Sequence, residues 1–458
     1  MSKIEVNAIE PQSGTTLTLG ASGDTVSLAV GATANIYNGT VNWSSTIRTS
    51  GFTAVSGNGY FCDTTTAAFT VTLPASPAFG DVVAIKDWAS TSATNKITIA
   101  RNGQKIEGNT TDAQIANHGV ATTLVYSGAS RGWMVTDSGD TQDLQLPQFV
   151  TATGGTVLTC GNYKTHVFTG PGSFVVSCGG NDAGSNSVEY LVVAGGGSGG
   201  SGDDSSGGAG AGGFRQNYPS PTIAGLPVTA TTYPITIGAG GSATSANTRG
   251  NSGSNSVFST ITSAGGGGGG FRGAPPSIPN ATGVSGGSGG GGGSACASPG
   301  PGGTGNTPPV SPSQGHNGGL GFSDNASFAT GGGGGGAGAV GSPGATKFTP
   351  APGGIGVSWA NPLFGPTAPS YGTPGPVADV RYFAGGGGGG GHPGSGSGGN
   401  GGSGGGGAGA YPANAVAGTT NTGGGGGGSG PNGNPTFGPI EIGGAGGSGI
   451  VVIRYKYQ

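Results

Sequence analysis

Charged side chains are scarce in this chain. Only 7% of its 458 residues are charged, and the formal net charge is −3, whereas about a quarter of the residues in an ordinary soluble domain are charged. A chain with so few cations offers no basic face for phosphates, so we expect no nucleic-acid partner. The low charge also argues against disorder caused by high net charge.

Long apolar stretches are also missing. No run approaches the roughly 18 consecutive apolar residues of a membrane-spanning helix, so we expect no membrane insertion. The opening stretch Met1–Asn7 lacks the apolar core of a signal peptide. An extracellular role would then follow assembly in the cytosol and lysis, the way virus particles emerge. No segment keeps an apolar period of about 3.6 residues, which predicts negligible helix.

The sequence shows no catalytic constellation. Its four histidines are isolated, and no H-E-x-x-H motif is present. His392 follows the longest glycine run, where a solvated loop residue is a simpler interpretation than a metal ligand. The 18 acidic residues are scattered and form no visible cluster. We therefore predict that the protein is not an enzyme and uses no cofactor or metal.

The four cysteines leave two interpretations open. Cys62, Cys160, Cys178 and Cys296 show no C-x-x-C spacing, so we expect no zinc site. Cys160 and Cys178 can be placed facing each other across a hairpin. Alternatively, all four are free thiols in a reducing compartment.

Glycine, in contrast, is abundant, with 111 residues that lie mostly after residue 194. A glycine run has no side chains to pack and loses much backbone entropy on ordering, so it is neither an ordinary helix nor an ordinary strand. It is either a flexible linker or one of several extended helices of about three residues per turn, packed side by side. The long runs occupy residues 265–270, 289–293, 331–336, 385–391, 404–407 and 423–428.

Two features favour the packed bundle over linkers. Segments rich in aromatic residues and proline separate the runs, and two β-prone stretches bracket the region, Tyr190–Ala194 before it and Ile450–Tyr455 after it. A linker needs neither feature. We expect the closing stretch to join the sheet that precedes the runs, so that the bundle is pinned at both ends.

The predicted fold class is all-β with negligible helix. It comprises a sandwich-like or prism-like N-terminal module, a small sheet and a packed bundle of polyglycine II helices. Period-two runs such as Asp81–Lys86 and Lys96–Ala100 predict the strands of the module. The predicted segments are an N-terminal attachment segment (1–35), a β-rich shaft-like module (36–140), a linker (141–149), a small β-platform (150–194), the glycine-rich domain (195–448) and a closing strand (449–458).

Connecting segments at the two ends of a glycine bundle carry its side-chain variety. Aromatic and arginine side chains on a rigid scaffold suit recognition, because they give a large contact area at low entropic cost. The alternative is that they cap the open ends of the bundle and shield its backbone from water. The candidates are Phe214, Arg215, Tyr218, Phe271, Arg272, Trp359, Phe364, Tyr371, Tyr382, Phe383 and Tyr411.

The N-terminal half resembles known viral proteins. The opening stretch Met1–Gly20 is similar to the N-terminus of tail-fibre proteins of tailed bacteriophages, particularly marine ones. The stretches Val71–Pro74, Asp81–Lys86, Asn102–Ile106 and Arg131–Val135 resemble the β-modules of those fibres. The resemblance implies a homotrimeric fibre that is bound to a virion protein by its N-terminus.

The C-terminal half resembles a glycine-rich fibre-tip domain. Val188–Gly197 and Gly446–Tyr455 look like the two ends of such a domain, and certain phage adhesins with layered polyglycine helices are similar. The resemblance implies a distal tip whose loops recognise a surface glycan or outer-membrane protein of a bacterium. The proline- and aromatic-rich connection at 345–383 departs from the pattern.

Two functions follow as hypotheses. The first is a viral fibre protein that attaches by residues 1–35 and adsorbs to a host through its tip. The alternative is a self-assembling structural filament in which the N-terminal strand of one subunit enters the sheet of the next. Ice binding would need a repeating Thr or Ala ladder, which the long runs lack.

Overall fold

The computed structural model describes residues 41–139, 148–181, 184–202, 205–218, 224–245, 247–271, 278–294, 299–324, 329–346, 349, 351–360, 370–392, 397–431 and 442–458. Two compact units are present, Met1–Gln145 and Leu146–Gln458. The predicted attachment segment 1–35 lies outside the described residues, and so do residues 141–147 of the predicted linker.

The first unit forms two sheets from strands that mostly alternate between them. One sheet has the order β1-β3-β5-β8-β9 and the other the order β2-β4-β6-β7. Its strands are β1 (Asn42–Trp43), β2 (Phe52–Thr53), β3 (Asn58–Cys62), β4 (Phe69–Thr72), β5 (Val82–Asp87), β6 (Ile97–Ala100), β7 (Ala113–Ile115), β8 (Ala121–Tyr126) and β9 (Trp133–Gly139).

Parallel pairing distinguishes this unit from a hairpin sandwich. Strands β1, β3 and β5 pair in parallel, and so do β2, β4 and β6. The chain therefore coils from one sheet to the other and back, and β7, β8 and β9 close the unit by antiparallel pairing. Apolar side chains of both sheets, including Ile85 and Ile97, form one core. Trp133 is fully buried in this core, whereas Trp88 is exposed.

Within its described residues, the second unit holds the remaining strands and one short α-helical turn. These are β10 (Val150–Thr153), β11 (Thr156–Cys160), β12 (Tyr163–Phe168), β13 (Gly172–Gly179), β14 (Ser187–Val193), β15 (Phe214–Gln216), β16 (Leu226–Pro227), β17 (Thr232–Thr236), β18 (Ser256–Phe258), β19 (Ile261–Ser263), α1 (Ile278–Ala281), β20 (Phe322–Ser323), β21 (Ala329–Thr330), β22 (Val357–Ala360), β23 (Val380–Phe383) and β24 (Ile450–Lys456). The prediction of an all-β chain with negligible helix is confirmed.

Two of its sheets face each other. One has the order β10-β13-β17-β18-β19, and the other runs β11-β12-β24-β14-β15. Residues of both, among them Phe174, Phe258 and Ile453, share one core. Strand β24 lies between β12 and β14 and is antiparallel to each, with Ile453 opposite both His166 and Tyr190. Because β14 precedes the glycine runs and β24 follows them, the whole glycine region is an insertion between neighbouring strands of one sheet.

A buried histidine ties this last strand into the core. His166 is fully buried; its Nδ1 lies 2.7 Å from the carbonyl oxygen of Gly154, and its Nε2 lies 3.0 Å from the hydroxyl of Tyr455. A carbonyl oxygen only accepts, so Nδ1 carries the proton, and Nε2 accepts the Tyr455 hydroxyl proton when the ring is neutral. Burial lowers the pKa of His166 below its usual value of 6.5.

This pKa gives the second unit a predictable pH dependence. The unfolded chain takes up a proton near pH 6.5 and the folded chain only at lower pH, so His166 should lower the free energy of unfolding as pH falls below about 6.5. The slope for one proton is at most about 1.4 kcal/mol per pH unit. Urea unfolding of the wild type and of His166→Gln, measured between pH 8 and pH 5, isolates this contribution. A stability difference that stays constant over that range would contradict the assignment.

Candidate functional site

The glycine runs are bonded to one another by a pattern that repeats every third residue. In the segment 195–201, the three consecutive amides of each turn point to three different neighbouring segments. Gly195, Ser198 and Ser201 donate to residues 254, 251 and 248, while Gly196 and Gly199 donate to residues 447 and 444. The last set, Gly197 and Gly200, donates to residues 210 and 207. A three-residue repeat with bonds only to neighbours is the geometry of polyglycine II helices.

Run 385–391 lies inside this bundle. Its amides donate to three other segments, again in threefold order, over distances of 2.8 to 3.2 Å. Gly385, Gly388 and Gly391 donate to residues 404, 407 and 410. Gly386 and Gly389 donate to residues 354 and 351, and Gly387 and Gly390 donate to residues 209 and 206. All seven glycines are buried. The glycine runs described here are therefore a packed, hydrogen-bonded scaffold.

Close backbone packing explains why glycine occupies these positions. A Cβ added to Gly387 would lie 2.0 Å from the carbonyl oxygen of Gly426, and one added to Gly388 would lie 2.0 Å from that of Gly399. These distances are far below van der Waals contact, and the opposing atoms are backbone atoms that have no rotamer to change. Any larger residue would have to push two hydrogen-bonded helices apart.

Runs that follow one another along the chain alternate in direction, which sorts the run ends into two groups. Segment 195–201 leaves β14, and segment 207–213 returns antiparallel to it and enters β15. The near end is where runs meet strands β14, β15, β19, β22, β23 and β24. The far end is the opposite one, and the run ends that lie there are Gly202, Thr244, Phe271, Ser294, Gly321, Gly391, Ala410 and Gly430.

Most of the predicted aromatic candidates lie at the near end, in a core between the bundle and the sheet. Phe214, Trp359 and Phe383 are buried there, Trp359 to 1% and Phe383 to 0% exposure, against Leu191 and Val452 of the sheet. Tyr218 and Tyr371 pack against the same core. Tyr382 is buried on β23, and Arg215 is half-buried on β15 opposite Val192. This placement favours the capping role over the recognition role for the near-end residues.

Only two of the candidates within the described residues lie at the far end. Phe271 and Tyr411 are half-buried there, and the amide of Phe271 donates to the carbonyl of Asn280 over 3.0 Å. Candidates Arg272 and Phe364 lie outside the described residues. Sequence reasoning missed Leu320, which is 52% exposed, and Ile442, which is 40% exposed. A lone large apolar residue beside glycines is the sequence signal that could have identified them.

A sequence profile described as a glycine-rich domain matches residues 169–456 of this chain. The chain belongs to this glycine-rich domain family. The matched region begins just after β12 and ends at the last residue of β24, so it takes in the whole bundle together with the strands that hold it at the near end. No curated protein matches the chain.

No three His, Cys, Asp or Glu side chains are grouped to hold a metal ion anywhere in the residues that the structure covers. Those residues also contain no helix that is long and apolar enough to cross a membrane. Cys62, Cys160 and Cys178 are free thiols, which agrees with the second interpretation of the cysteines; Cys296 lies outside the described residues.

Proposed function

We propose that this chain is a viral fibre protein whose glycine-rich domain recognises a receptor on a bacterial surface through the far end of the bundle. The observation that carries the proposal is the sorting of run ends. The near end is covered by the sheet and its aromatic core, whereas the described run ends at the far end lie outside that core. Backbone hydrogen bonds hold those run ends, so the side chains of the connecting segments are free to vary without loss of the scaffold.

Recognition at the far end would depend on shape and hydrogen bonding. Half-buried Phe271 and Tyr411 offer rigid aromatic surface, which loses little entropy on binding. Exposed Leu320 and Ile442 add apolar area. A surface glycan or an outer-membrane protein fits such a surface, and a homotrimer would multiply a weak single contact by avidity. In this proposal residues 1–35 bind a virion protein, and the mature protein resides on the virus particle.

The alternative function, a self-assembling filament, has one observation in its favour. Strands β1 and β2 are the edge strands of the two sheets of the first unit, both at its N-terminal side. An unpaired edge is a template for a strand from another chain. Light scattering on the purified protein separates the two functions, because the fibre proposal requires a discrete trimer and the filament requires an open-ended size distribution.

The far-end proposal predicts a loss of cell binding in one double variant. Phe271→Ala with Tyr411→Ala should weaken binding of the labelled full-length protein to a bacterial strain that the wild type binds by at least about tenfold, because buried aromatic anchors dominate interfaces. Phe79→Ala is the control, because Phe79 is 82% exposed in the first unit. Flow cytometry over a panel of strains gives the readout. Unchanged binding of a folded double variant would refute the far end as the receptor site.

A further inference from the structure

A cleft opens at the edge of the second unit's sheet, at the end of β24 that points away from the bundle. It lies where β12 and β14 begin and β24 ends, and its volume is about 370 Å³. Tyr163, Ser187, Glu189 and Arg454 are among the residues that line it. None of the far-end run ends lines it, so the cleft is a separate site and does not depend on the recognition role of the far end.

An ion pair forms one wall of the cleft. Glu189 on β14 and Arg454 on β24 are directly opposite in register, and Arg454 Nη1 donates to Glu189 Oε2. Both side chains are largely withdrawn from water, with exposures of 14% and 13%. The guanidinium carbon also lies 3.6 Å from the centre of the Tyr163 ring. The two charged groups are therefore held in place before any ligand arrives.

The same groups keep unused hydrogen-bonding capacity. Among the residues that the structure describes, Arg454 Nε and Nη2 donate to no protein atom, and Glu189 Oε1 accepts from none. The hydroxyls of Tyr163 and Ser187, which also line the cleft, have no hydrogen-bond partner in that part of the chain either. None of these atoms is among the described buried polar atoms that lack a partner, so each of them remains accessible from the cleft. Donors and acceptors thus stand side by side in the cleft, ready for a ligand that presents both.

The charge and size of the cleft narrow the class of ligand. Glu189 already compensates the charge of Arg454, so an anion gains little there, and an uncharged ligand suits the wall better. A ligand with adjacent hydroxyl groups can donate to a carboxylate oxygen and accept from guanidinium N–H groups at the same time, which matches this wall. The volume lies at the small end of the roughly 300–1,000 Å³ range of ligand sites. We propose that this cleft binds a neutral polyhydroxylated ring, a single hexose-sized sugar unit.

Titration of the full-length protein with free sugars tests the site. Saturation-transfer NMR with D-glucose, D-galactose, D-mannose and N-acetyl-D-glucosamine should show saturable binding of at least one of them at millimolar concentration. Tyr163→Phe removes only the phenolic hydroxyl and keeps the ring beside Arg454, so it should weaken binding by about three- to tenfold. Glu189→Gln should weaken it by at least about tenfold, because it removes a charged acceptor.

Glu107→Gln is the matched control. Glu107 is also paired with an arginine, Arg131 at 3.5 Å, but in the first unit, so sugar binding should be unchanged. Three results would overturn the proposal: no saturable binding of any neutral sugar, equal affinities of the wild type and the folded Tyr163→Phe variant, or binding of D-glucuronate alone, which would mark an anion site. Cell binding lost in the far-end variant with sugar binding intact would separate the two proposals.

Discussion

Replacing Gly387 with alanine is expected to destabilise the glycine bundle by about 3 kcal/mol or more. The new Cβ would lie 2.0 Å from the carbonyl oxygen of Gly426 and 3.1 Å from the amide nitrogen of Ala209. The run cannot shift away, because the amide of Gly387 donates to Ala209 and its carbonyl accepts from Gly334, each over 2.8 Å. The denaturant midpoint of the second unit, followed by circular dichroism, measures the effect.

Gly170→Ala is the matched control for this substitution. Gly170 lies between β12 and β13, and a Cβ added there meets nothing within 4 Å. Alanine should change the free energy of unfolding by less than about 1 kcal/mol, and in the stabilising direction, because it reduces the freedom of the unfolded chain. Equal midpoints for the two variants would show that run 385–391 is not closely packed in solution.

The sequence predicted the existence of the bundle but could not predict which runs are neighbours. The aromatic segments between the runs and the β-prone stretches on either side of them indicated an ordered bundle. The two β-prone stretches form β14 and β24, which are adjacent strands. The amides of run 385–391 donate to residues 206–209, 351–354 and 404–410, and its carbonyls accept from residues of three further segments, 331–334, 399–402 and 425–428. Side chains normally specify such pairing, and a glycine run has none. Its neighbours are fixed by the lengths and ends of all the connections together, which are properties of the whole fold.

The first unit shows a similar limit. Period-two runs predicted its strands, and a local turn is visible just after β6, where Asn102 and Gly103 both have positive φ. Strand β6 pairs antiparallel with β7, the next strand in the chain. The parallel pairs β3–β5 and β4–β6 join residues far apart in sequence. A parallel pair is not joined by a short turn, so no turn residues in the sequence predict it. The path of the chain from one sheet to the other and back could therefore not be derived from local patterns.

The sequence predicted one set of candidate residues that contains residues from both ends of the bundle. Composition alone does not reveal in which direction each glycine run travels. Phe214 and Phe271 each stand beside a glycine run, yet one enters the sheet and the other sits at the far end. Only the alternation of the runs separates them. The division between capping at the near end and exposure at the far end is therefore a result of the topology. Substitutions of near-end aromatic residues should reduce stability, whereas substitutions of far-end aromatic residues should reduce binding.

Phe383→Ala shows how different those phenotypes should be. Phe383 is 0% exposed and packs with Leu191, Trp359 and Val452 where the bundle meets the sheet. Removing a buried phenylalanine ring costs about 3–5 kcal/mol, from lost burial and the cavity that remains. We expect that loss in the free energy of unfolding of the second unit, measured by chemical denaturation.

Tyr411→Ala provides the contrast, because Tyr411 is half-buried at the far end and should cost less than about 1.5 kcal/mol. Any loss of cell binding by Phe383→Ala should then track the fraction of unfolded protein and recover at lower temperature. Loss of binding by Tyr411→Ala should persist in fully folded protein. A Phe383→Ala variant that is as stable as the wild type but does not bind cells would reverse the roles assigned to the two ends.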